Sequence, residues 1–196
     1  MAERTNDTRE RLVATTADLL REHGYAGTGL KAIVAAGEAT IGSLYHHFPG
    51  GKEDLAEAAL RTSGAGYQLL VEAIIDDAPD VATGIRQSFP AAAQVLEASG
   101  YADACPIATV ALEVASTNER LRRATGEIFE GWLEALASRL RAAGLGERAA
   151  RDAALVYLSA LEGAFVVCRA TRSTEAMAAA GAWVADAVDA ALAEAR

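Results

Sequence analysis

Residues 28–52, TGLKAIVAAGEATIGSLYHHFPGGK, decide the fold. Leu30, Ile33 and Val34 recur at helical spacing, and Thr28 stands where a helix cap is needed. Gly37 interrupts the pattern. A second helix is expected over 39–47, burying Ile41 or Leu44 against the first. Two short helices around a Gly-containing turn fit a DNA-binding helix-turn-helix, whose second helix enters the major groove.

Working outward, Thr8 to His23 reads as an amphipathic first helix with Leu12, Thr16, Leu19, Leu20 and His23 on one face. Downstream, helices are expected over about 52–77, 80–99, 119–143, 147–169 and 174–195, with Pro106 opening one more. Pro90 is expected to kink or split the 80–99 segment. The chain has 196 residues, is 52% hydrophobic and 6% aromatic, and holds 4 Pro, a balance that favours an all-α protein.

Net charge is −9, whereas a domain that binds DNA nonspecifically is usually basic. The acidity is uneven. Residues 62–196 hold 11 Lys/Arg against 18 Asp/Glu, while residues 28–52 hold Lys31 and Lys52 against Glu38. This pattern suits a binder that relies on a well-fitted site. No uninterrupted apolar run approaches the ~18–20 residues that span a bilayer, and the polar start does not resemble a signal peptide, so no membrane partner and a cytoplasmic location are expected.

Enzyme and cofactor readings find no support. Gly27-Thr28-Gly29-Leu30-Lys31-Ala32 fits a dinucleotide fingerprint in letters, but a helix precedes it where a strand is required. Adjacent His46 and His47 point about 100° apart on a helix and lack an accompanying Glu-x-x-His, so no metal site is expected. Cys105 and Cys168 form no disulfide framework; Cys105, ahead of Pro106, reads first as a structural thiol.

The first 55 residues resemble the TetR family of bacterial repressors. The resemblance rests on Ile33, Gly42-Ser43-Leu44-Tyr45-His46-His47-Phe48 and Lys52-Glu53-Asp54-Leu55, with Leu12 to Tyr25 similar to that family's first helix. Phe48-Pro49-Gly50-Gly51-Lys52 and Cys105-Pro106-Ile107-Ala108-Thr109-Val110-Ala111-Leu112-Glu113 resemble its LmrA/YxaF-like branch. One departure is Glu38, where the family usually has glycine in the turn.

The resemblance implies a three-helix DNA-binding domain over 1–55 and a C-terminal helical bundle over 56–196 for effector binding and dimerisation. Lys31, Thr40, Ile41, Ser43 and His46 would face base edges, with Ile41 suited to a thymine methyl. Tyr45, His47 and Lys52 would meet phosphates, and Thr28 secondarily through the helix it caps. Leu44 and Phe48 are assigned to the core. Phe89, Ile107, Leu112, Phe129, Trp132 and Phe165 would line a pocket for a small hydrophobic or aromatic effector. Leu155, Leu158, Leu161 and Phe165, with Ala180, Val184 and Val188, would form the homodimer contact. The implied function is a ligand-responsive repressor that leaves a pseudo-palindromic double-stranded DNA operator when the effector binds. The alternative is a helical small-molecule-binding protein whose DNA binding is weak or lost.

Overall fold

A computed structural model of the chain describes residues 2–195, with side chains from 7 to 195. Among the described residues all regular structure is helical: α1 (Ala2–Gly27), α2 (Leu30–Ala36), α3 (Ile41–His47), α4 (Lys52–Asp76), α5 (Val81–Ala98), α6 (Pro106–Val114), α7 (Glu119–Ala142), α8 (Glu147–Thr171) and α9 (Glu175–Glu194). The all-α expectation is met. The helical pattern of α1 breaks at Gly24 (φ 67°, ψ −175°), directly after the expected end at His23. Pro90 lies inside α5 without splitting it.

The chain divides into two compact units that differ from a cut at residue 55. Unit 1 gathers the chain up to Gly66 together with Cys105–Ile128; unit 2 holds Tyr67–Ala104 and Phe129–Arg196. In unit 1, α1 packs against α2, α3 and α6, and Leu12, Leu20, Ile33, Leu44, Leu55, Ile107 and Leu121 are fully buried. Each such side chain removed from water contributes roughly 1.5–3 kcal/mol. In unit 2, α9 packs on α5 and α8. There Phe89 meets Tyr157 edge to face (5.4 Å between centroids), and the buried Tyr157 hydroxyl donates to Ser88 Oγ at 2.9 Å. Gly181 is required there: a Cβ would stand 2.8 Å from the Cβ of Phe89.

By length and composition α8 and α9 are each apolar enough to cross a membrane, a test that core helices also pass, and here the two pack against each other, with α9 also on α5. Several expectations need correction. Val184 and Val188 are buried in the unit 2 core and are not free to form a dimer contact. Alanines surround them on every side of α9, so spacing alone did not say which face turns inward. Ile107 and Leu112 belong to unit 1, whereas Phe89, Phe129, Trp132 and Phe165 belong to unit 2. Leu112 is 82% exposed, so it lines no enclosed pocket. It lies on the side of α6 away from buried Ile107, Val110 and Val114.

Candidate nucleic-acid interface

α2 and α3 are seven residues each, too short to persist alone, so their placement depends on packing. Ile33 of α2 and Leu44 of α3 are fully buried, and Phe48 closes the pair at 3% exposure. Thr40 is the N-cap of α3: its Oγ1 accepts the Ser43 N–H at 3.1 Å. Helical geometry then turns the rest of α3 outward. Of the two candidates to pack on α2, Leu44 is the buried one, while Ile41 is 44% and Tyr45 47% exposed.

The turn between the helices is a Schellman motif. Ala39 N–H donates to Val34 O at 2.9 Å and Glu38 N–H to Ala35 O at 3.4 Å. Such a turn needs a left-handed residue, and that residue is Glu38, with φ 47°. The acidic departure noted in the sequence therefore leaves the turn's hydrogen bonding intact and places a non-glycine residue in strained backbone. Arg11 pins the turn from α1 through Nε to Gly37 O at 2.8 Å.

The expected DNA-facing residues divide three ways. Lys31, Thr40, Ile41, Tyr45 and His46 share the exposed surface of α2 and α3, with Ser43 half-buried beside them. His47 is half-buried, its ring 5.1 Å from His46 and 6.4 Å from Phe48. It lines a cleft of about 400 Å³ with Arg9, Asp54, Arg61 and Arg120. Thr28 and Lys52 are turned inward.

Thr28 does not cap α2. Gly29 is the N-cap residue and no side chain caps it. Thr28 is 1% exposed, and its hydroxyl lies 2.7 Å from Gly24 O and 3.1 Å from Leu19 O. It ties the end of α1 together and has no hydroxyl face left for a phosphate. Lys52 is likewise committed. Its Nζ donates to Tyr25 O at 2.5 Å and sits 4.1 Å from the Tyr25 ring centroid. Partial burial lowers the Lys52 pKa, opposed by the charge of Glu113. The start of α4 also has its own acids: Asp54 accepts the Gly50 N–H at 2.6 Å, and that hydrogen bond above all holds its carboxyl below the ordinary range. Glu53 and Asp54 in the first turn of α4 place negative charge where a phosphate would otherwise approach beside Lys52.

Sequence reading missed three positions. Arg9 lies over the Phe48 ring at 5.4 Å, Arg11 holds the turn, and Glu113 reaches α1 from α6. Arg11 and Glu113 meet partners 26 and 87 residues away, so no local pattern could have marked them.

A buried helix pair that presents one exposed, mostly uncharged α3 surface defines a helix-turn-helix DNA-binding protein. The matches to known proteins agree. Residues 12–59 match the model for bacterial regulatory proteins of the tetR family, and residues 81–182 match that for the C-terminal domain of LmrA/YxaF-like transcriptional regulators. The chain is 30% identical to the HTH-type transcriptional regulator LmrA of Bacillus subtilis over 161 residues, 82% of this chain and 86% of that protein. The HTH-type transcriptional repressor NemR of Escherichia coli is 28% identical over 136 residues, 69% of this chain and 68% of its own. The crystal structure of reduced E. coli NemR superposes with TM-score 0.80 at 25% identity, covering 91% of this chain and 95% of that one. A TetR regulator from Chloroflexus aurantiacus gives 0.78 at 26% identity, covering 95% and 96%. The chain belongs to the TetR family of transcriptional regulators, in its LmrA/YxaF-like branch. Members of this family are transcriptional regulators that bind operator DNA and act as dimers.

Proposed function

We propose that this regulator is a cytoplasmic repressor that binds a pseudo-palindromic operator as a homodimer and leaves it when a small, largely apolar effector binds. The observation that carries DNA reading is the exposed set Lys31, Thr40, Ile41, Tyr45 and His46 on two helices fixed by buried Ile33 and Leu44. Ile41 suits a thymine methyl, and Tyr45 with His46 suits phosphate and base-edge contacts. Repression is also what the relative NemR is named for.

The dimer surface we assign to the exposed apolar side chains of the last two helices: Leu155, Val156, Val166 and Val167 on α8, and Trp183, 79% exposed, on α9. A row of large apolar groups facing water at helical spacing is best covered by a two-fold copy of itself. Leu158, Leu161, Phe165 and Ala180 are only half-buried and would border it. For the effector, Phe129 and Trp132 pair edge to face at 5.6 Å in unit 2 and would supply an aromatic wall.

The test is a gel shift with the DNA upstream of the chain's own coding sequence against an unrelated duplex. Retarded operator alone, released by aromatic compounds that quench Trp132, supports the reading. Equal affinity for both duplexes would favour a ligand-binding protein without operator recognition.

A further inference from the structure

Side chains from two distant helices of unit 1 converge on one short stretch of backbone. Past the break at Gly24, the N–H groups of Tyr25 and Ala26 donate to one carboxylate, that of Glu113 on α6, at 3.2 and 2.7 Å. Lys52 at the start of α4 takes the carbonyl of the same Tyr25. A charge of each sign thus grips opposite ends of one dipolar segment. Gly24 fits this arrangement in two ways. Its φ of 67° lies in the left-handed region, and a Cβ there would stand 1.9 Å from Glu113 Oε1. Next along the chain, Asn118 donates to Glu53 of α4 and accepts the Leu121 N–H at 2.9 Å, fastening the start of α7 to the start of α4.

We propose that Glu113 is a positioning residue for DNA reading: with Lys52 it clamps the Tyr25–Ala26 segment and so lets α6 set the orientation of α2 and α3. The clamped segment is the exit of α1, and three residues, Gly27, Thr28 and Gly29, separate it from α2. Without the clamp, the bend at Gly24 is left to the Thr28 hydroxyl on Leu19 O and Gly24 O, while Arg11 ties the α2–α3 turn to the body of α1 by a hydrogen bond. Orientation matters because a two-fold binder must present its reading helices to half-sites about 34–36 Å apart, so a small rotation in each copy spoils the fit of both. The proposal rests on the chain binding its operator as a dimer.

The experiment compares the full-length protein and its variants by fluorescence anisotropy on two duplexes, the chain's own upstream DNA and an unrelated sequence, with circular dichroism at the same temperature. Wild-type protein that fails to prefer its upstream DNA would overturn the repressor reading itself. Given that preference, Glu113→Gln, which keeps one acceptor but sets an amide NH₂ against the second N–H, should weaken operator binding roughly five- to tenfold. Affinity for the unrelated duplex should hold or rise, because the variant sheds a negative charge. Gly24→Ala should act alike by displacing the carboxylate, and Gly24→Ala with Glu113→Ala should be no weaker than Gly24→Ala alone. Additive losses would overturn the clamp. So would unchanged operator affinity, or equal losses on both duplexes in step with loss of helicity.

Discussion

Glu38 is a residue whose replacement should improve both stability and DNA binding, and two substitutions separate the reasons. It holds the left-handed position of a Schellman turn, φ 47°, where a residue with a Cβ pays about 1–2 kcal/mol. Glu38→Gly removes that strain but returns about 0.5–1 kcal/mol through the extra freedom of the unfolded chain. The net gain is about 0.5–1 kcal/mol, or an increase of about 2 °C in Tm for a chain this size. Glu38→Gln keeps the strain and removes only the charge, so its Tm should match wild type. On DNA the two should converge. An exposed carboxylate about 10 Å from a phosphate repels it by about 0.4 kcal/mol in water. With one turn per half-site in a dimer, either variant should bind all DNA roughly fourfold more tightly at low salt, the gain fading as salt rises. Thermal unfolding and anisotropy at two salt concentrations measure both. A Glu38→Gly protein that melts below wild type, or a Glu38→Gln protein that gains as much Tm as Glu38→Gly, would refute the strain argument.

The exposed faces of α8 and α9 should answer to charge while the buried ones should not tolerate it. Val166→Glu or Trp183→Glu is expected to give folded monomers by light scattering, whereas Val184→Glu, in the unit 2 core, should lower Tm steeply through an unpaired buried carboxylate. Tyr45→Ala, at an exposed position on α3, should weaken binding to any duplex and reduce the salt dependence by roughly one phosphate per half-site; a changed sequence preference instead would make Tyr45 a base reader. Asp54 should shape acid unfolding. Its folded pKa lies below the ordinary 3.8, mainly through the Gly50 N–H, so its contribution is present above that value and lost as pH falls through the folded one. Asp54→Asn should therefore flatten the acid limb of the stability curve below about pH 4, measured by denaturant titration, and an unchanged limb would remove Asp54 from the account.

What the sequence determined by itself was local. Helical spacing in Leu30, Ile33 and Val34 with the interruption at Gly37 marked the helix-turn-helix, and Leu44 with Phe48 were recognisable as its inward side. Pro106 and Gly37 marked helix limits because backbone preference acts within a few residues. Tertiary structure decided what depends on partners far along the chain. Thr28 looked like a cap until Leu19 O and Gly24 O claimed its hydroxyl, and Lys52 looked free until Tyr25 took its ammonium. Glu113 carried no local signal at all, since its partners lie 87 and 88 residues away. The register of α9 was equally hidden. With alanine on all its sides, periodicity could not choose between Val184 and Trp183 as the outward residue, and only packing against α5 and α8 turned one inward and the other to solvent. A pattern of residue types records which groups avoid water, but which neighbour receives each of them is fixed by the whole chain closing on itself.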